Sequence, residues 1–186
     1  MKYKLLALGI IVLGMVAFGT SPAAAQTAAN GPYYATPSWD QKLQCDTTAT
    51  CPRFIVLSNW KNEAVLDRET GLVWERSPSG DLDWYDAQTQ CNSLILGNRV
   101  GWRLPTIQEL LSLVDRSVSP GPTLPAGHPF SNVHSSNEYW STNTYALNTS
   151  LAYGVDFFFG SVDNISNKSL LQYAWCVRGG QGADPQ

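Results

Sequence analysis

The chain opens with Lys2 and Lys4, an apolar run from Leu5 to Phe18, and a small-residue tail, Ser21-Pro22-Ala23-Ala24-Ala25. That is the layout of a cleaved secretory signal, with an Ala-x-Ala pattern just before Gln26. A membrane span needs about 20 apolar residues, and this run is shorter and interrupted by glycines. The expectation is a signal peptide over residues 1–25 and export of the remainder. Export constrains the fold strongly, because an oxidising compartment turns the four cysteines, Cys45, Cys51, Cys91 and Cys176, into cross-links. Three pairings are open. The CDTTATC spacing suits a local clip between Cys45 and Cys51, and Cys91 and Cys176 would then close a long loop from a helix to the final strand. Zinc is the rival reading, but the sequence has neither CxxC spacing nor a neighbouring His.

Composition narrows the class further. Only 15% of residues are charged, and seven Trp, eight Tyr and six Phe exclude a disordered chain. Fifteen Gly and eleven Pro scattered along the sequence exclude a coiled coil. The formal charge is −3 and becomes −5 once Lys2 and Lys4 are removed, so nucleic acid has no basic surface to attract it. Residues 26–52 lack periodicity and read as an N-terminal arm, residues 53–180 as one domain, and residues 181–186 as a tail.

Within the domain, Phe54–Leu57, Ala64–Leu66 and Leu72–Trp74 predict a small antiparallel meander. Asp83 can cap a helix with Trp84, Ala87, Cys91 and Leu94 on one face, stopped by Gly97. Thr106 and Glu109 form a capping box for a second helix bearing Ile107, Leu110, Leu111 and Val114. An irregular excursion from Arg116 to Asn137 precedes strands at Tyr139–Thr142, Leu151–Phe159 and Tyr173–Arg178. Strands, two helices and more strands in one unit argue for α+β.

The segments LDRETGLVWERS (66–77), WYDAQTQCNSL (84–94), GWRLPTIQELLSLVD (101–115), YWST (139–142), VDFFFG (155–160) and WCVRG (175–179) stand in the order seen in the DUF1566 family. This is the C-terminal domain type of the Legionella collagen-like adhesin, and the sequence resembles it over about residues 53–180. The resemblance implies a C-type-lectin-like fold with two helices and small antiparallel sheets. It also implies a disulfide from the first helix to the last strand, in agreement with Cys91–Cys176. The family's adhesin member binds sulfated polysaccharide, so the implied role is surface binding rather than catalysis. The Glu-Pro-Asn, Gln-Pro-Asp and Trp-Asn-Asp signatures of calcium-dependent lectins are absent from the sequence, as are collagen-like repeats, so the ligand does not transfer with the fold.

No catalytic residue is assigned. Trp60, Tyr145 and Tyr153, together with Trp39, lie off the helix faces and are candidates for exposed stacking on a glycan or protein partner. Arg103 and Arg178 sit in apolar stretches. Each either pairs with a carboxylate such as Glu109 or Asp115, or stacks on an aromatic face lining a groove. No metal or cofactor is expected: Asp156, Asp163, Asn164 and Asn167 offer oxygen ligands that calcium could take, but without EF-hand-like spacing they read first as turn formers. His128 and His134 read as surface loop residues. The functional expectation is an exported, non-catalytic binding module, secreted, periplasmic or at the cell surface. A structural subunit of a surface assembly and an enzyme of the formylglycine-generating type are the alternatives.

Overall fold

A computed structural model describes residues 52–118, 120–162 and 165–179. The signal segment, nearly all of the arm, Cys45, Cys51, Trp39, Asp163, Asn164 and the tail lie outside the described residues.

The fold is α+β. Among the described residues, ten short strands form two five-stranded sheets. The meander is β1 (Phe54–Val56), β2 (Ala64–Asp67) and β3 (Val73–Glu75). It is extended by β10 (Val177–Arg178) and β5 (Trp102–Arg103) in the order β1-β2-β3-β10-β5, antiparallel throughout. The second sheet contains β4 (Ser79–Leu82), β9 (Gln172–Ala174), β6 (Tyr139–Thr144), β7 (Leu151–Val155) and β8 (Ile165–Asn167) in that order. Its β6–β9 pair is parallel and the other pairs are antiparallel.

Helix α1 (Trp84–Ser93) starts where expected, with the Asp83 side chain accepting the Asp86 amide. It stops before Gly97, because Leu94 turns extended and packs into the core. Gly97 instead abuts Trp60 and donates its amide to Glu63 Oε2 at 2.9 Å. Helix α2 (Ile107–Ser112) has both halves of the Thr106–Glu109 capping box and ends before Val114.

The inner strands of both sheets carry buried side chains on both faces, since successive strand residues point to opposite sides. Ala64, Val73, Trp140 and Cys176 face one apolar cluster, beneath α1, together with Trp60, Trp84, Ala87, Cys91 and Trp102. Their chain neighbours Val65, Trp74, Tyr139 and Val177 face a second cluster that includes Leu110 and Leu113 of the α2 region. Trp175 anchors that second cluster, with Phe130, Tyr139, Phe157 and Trp74 at ring-centroid distances of 4.9, 5.5, 5.5 and 5.7 Å.

The chain passes between the sheets four times, twice through a helix and twice directly, from β3 to β4 and from β9 to β10. The expected single strand 173–178 is therefore two strands, broken at Trp175-Cys176. The two direct crossings are stitched side by side. Glu75 donates its amide to the Cys176 carbonyl at 2.9 Å, and the Trp175 indole donates to the Glu75 carbonyl at 2.7 Å. At this junction Cys176 is bonded to Cys91 of α1, with Cα atoms 5.3 Å apart.

Candidate functional site

The expected strand 151–159 ends at Val155, and the reason lies in Asp156. Its Oδ1 accepts the Phe158 amide at 2.6 Å, an Asx turn that competes with continued pairing. Asp156 and Ser161 exchange backbone hydrogen bonds at 2.9 and 3.1 Å and close a turn over 156–161. Phe157 goes fully into the core. Phe158 and Phe159 are thrown outward, 37% and 63% exposed, edge to face at 4.6 Å.

The Arg116–Asn137 excursion holds this turn from behind. Thr123 donates its amide and its hydroxyl to the Phe157 carbonyl at 2.8 and 2.9 Å, and the Gly121 amide bonds the Phe158 carbonyl. A Cβ on Gly121 would lie 2.1 Å from the Phe157 oxygen, so only glycine allows the approach.

The facing wall is residues 135–138. The Glu138 carbonyl accepts the Tyr173 amide at 2.9 Å, and the Glu138 amide donates to Gln172 Oε1 at 3.2 Å. Glu138 Oε2 accepts the buried Ser166 hydroxyl at 3.1 Å. The Glu138 side chain lies across Gly154, where an added Cβ would come within 2.7 Å of its carboxylate. Between the two walls is an open groove of about 370 Å³ lined by Ser135, Ser136, Asn137, Glu138, Asp156, Phe158, Phe159 and Gln172. It combines an exposed phenyl platform with planar carboxylate and amide groups and hydroxyls. This arrangement can stack on a ring face and hydrogen-bond its substituents. Among the described lining residues there is no Lys, Arg or His.

Most residues singled out in the sequence lie elsewhere. Trp60 is 1% exposed, which corrects the expectation of a surface stacker. It packs edge to face on Trp102, with the Arg99 and Arg178 guanidinium carbons each 5.7 Å from its ring centroid. All six described tryptophans are buried, because two clusters rather than one accommodate them. Arg103 takes the structural alternative. It grips Glu109 with two hydrogen bonds at 2.6 and 2.8 Å and donates to the Gly179 carbonyl. Arg178 donates to the Val100 carbonyl at 2.7 Å. Tyr145 and Tyr153 are half-buried and pack edge to face at 5.8 Å, on the β6–β7 hairpin. His134 is exposed and stacked on Tyr173. His128 is half-buried against Phe130, and burial lowers its basicity.

Of the calcium candidates, Asp156 lines the groove, whereas Asn167 Oδ1 accepts the Ser169 amide and hydroxyl at 3.0 and 2.9 Å. The described residues contain no group of three or more His, Cys, Asp or Glu placed to hold a metal ion.

The profile of the Lcl C-terminal domain matches residues 63–178, well over half of the sequence. The chain belongs to the Lcl C-terminal domain family. No curated protein matches it. The matched span runs from β2 to β10 and takes in both groove walls and the Cys91–Cys176 link, so the groove is part of the Lcl domain itself.

The Phe158–Phe159 platform was missed in the sequence because VDFFFG reads as a continuous apolar strand. The signal that could have found it is the Asp two residues before Phe158, an Asx-turn former ahead of three aromatics.

Proposed function

We propose that this protein is an exported binding module of C-type-lectin-like architecture that recognises carbohydrate at a cell surface through the Phe158–Phe159 groove, without calcium and without chemistry on the ligand. The exposure of two adjacent phenyl rings beside a polar wall carries the reading. An exposed Phe pair loses apolar burial unless something covers it, and a sugar ring offers an apolar face together with hydroxyls for the wall.

Three further observations support it. The Lcl family fits a surface module. A buried disulfide suits an oxidising compartment. No helix among the described residues is long and apolar enough to cross a membrane. Formylglycine-generating chemistry needs a reactive thiol, and both Cys91 and Cys176 are committed to each other.

A second location competes for an anionic ligand, at the surface where Arg99 and Arg178 flank Trp60. A glycan array run with the mature protein in calcium and in chelator separates the two. We expect binding unchanged by chelation and weakened about tenfold in Phe159→Ala, as befits a stacking contact. Binding restricted to sulfated glycans and lost on Arg99→Ala or Arg178→Ala would move the site to the arginines.

A further inference from the structure

The groove reading leaves the charge of the ligand open, and the lining residues address it. Two acidic residues, Glu138 and Asp156, line a space whose described lining includes no cationic side chain. Both are positioned by the fold. Asp156 is held by the Phe158 amide at the foot of the platform, and Glu138 by the Ser166 hydroxyl across Gly154. The same space is bounded by the exposed faces of Phe158 and Phe159. Carboxylates attract an ammonium, and phenyl faces attract it as well through their quadrupoles. A sulfate or uronate at this place would meet repulsion from both acids. Resting on the groove as the binding site, we infer that the ligand is an amino sugar with its nitrogen unacylated and protonated, a hexosamine of the de-N-acetylated kind, rather than an N-acetylated or sulfated one.

An ammonium beside Glu138 or Asp156 gains charge-assisted hydrogen bonds to carboxylate oxygens, while its pyranose ring lies on Phe159. N-acetylation removes the charge and adds bulk, and sulfation reverses the sign. The preference is electrostatic at an open site, so it weakens with ionic strength.

The test uses three oligosaccharides of equal length, a glucosamine pentamer, its N-acetylated form and a heparin-derived fragment. Each is titrated calorimetrically into the mature protein, into Glu138→Gln, Asp156→Asn and the double variant, and into Phe159→Ala. Asparagine can still accept the Phe158 amide, so Asp156→Asn keeps the turn, and Glu138→Gln keeps the side-chain shape. Intact near-ultraviolet dichroism from the buried tryptophans verifies folding.

The expected result is that the glucosamine pentamer binds about tenfold more tightly than the N-acetylated one. Each single substitution costs it two- to fivefold and the double variant erases the preference, magnitudes proper to exposed ion pairs. The preference also shrinks in high salt. Equal binding of the two pentamers with both lost in Phe159→Ala would overturn the inference and leave the groove reading standing. Binding insensitive to Phe159→Ala, or a preference that survives the double variant, would overturn it by removing the site itself or its stated cause.

Discussion

Glu75 shows what a single side chain contributes beyond the groove. It is 9% exposed at the end of β3, and desolvation raises its carboxyl from an ordinary 4.5 to about 7, partly opposed by the Cys176 amide donated to Oε2 at 3.3 Å. Between these two values the native state holds a proton that the unfolded chain has lost. Stability is therefore full below about pH 4.5, falls as the pH rises through 7, and then levels off. A difference of this size corresponds to about 3 kcal/mol. Urea midpoints at pH 5 and pH 8 should show the protein losing stability on going alkaline and Glu75→Gln losing much less. Identical pH profiles for the two would mean that the native carboxylate is comfortably solvated. Glu75 carried no sequence signal, since an acid ending LVWE reads as an exposed strand end. Its burial comes from the β9–β10 crossing laid over it, a long-range contact that no local pattern announces. Arg103 was legible as far as a choice between two roles, and the Thr106–Glu109 box supplied its partner because capping fixes the same carboxylate beside it.

At the scale of elements, the disulfide fastens α1 to the point where the chain leaves one sheet for the other. The closed loop spans 85 residues, and releasing it in the unfolded state is worth on the order of 4–5 kcal/mol. A Cys91→Ala/Cys176→Ala pair should lose about that much in chemical denaturation while keeping the far-ultraviolet signature of the fold. A loss below 1 kcal/mol would indicate that the stitched crossings alone hold the junction. The starts of both helices were readable because a cap is a local hydrogen bond between residues three apart. Their ends were not, because Leu94 leaves α1 to fill the core rather than at a glycine. The three-strand meander was readable from its apolar runs. The division of 173–178 was not, since both halves are apolar and only partners distant in sequence assign them to separate sheets.

For the whole molecule, the aromatic content that marked the sequence is used twice. Six tryptophans fill two clusters on either side of the sheets, and that rigid body presents two phenylalanines outward on one tight turn. The excursion at 116–137, irregular in sequence, anchors that turn through Gly121 and Thr123 and supplies the opposite wall through Ser135, Ser136 and Asn137. The proposed binding surface thus comes from the least regular part of the chain, fixed to its most regular part, as is common where loops carry function on a packed scaffold. Backbone amide mapping by NMR during titration of the ¹⁵N-labelled protein with a glucosamine oligosaccharide tests this directly. Saturable shifts should gather at 135–138, 156–160 and 172, with the Trp60, Arg99 and Arg178 region unmoved. Shifts gathered at Arg99 and Arg178 instead, or no saturable shifts at all, would contradict the placement of the site.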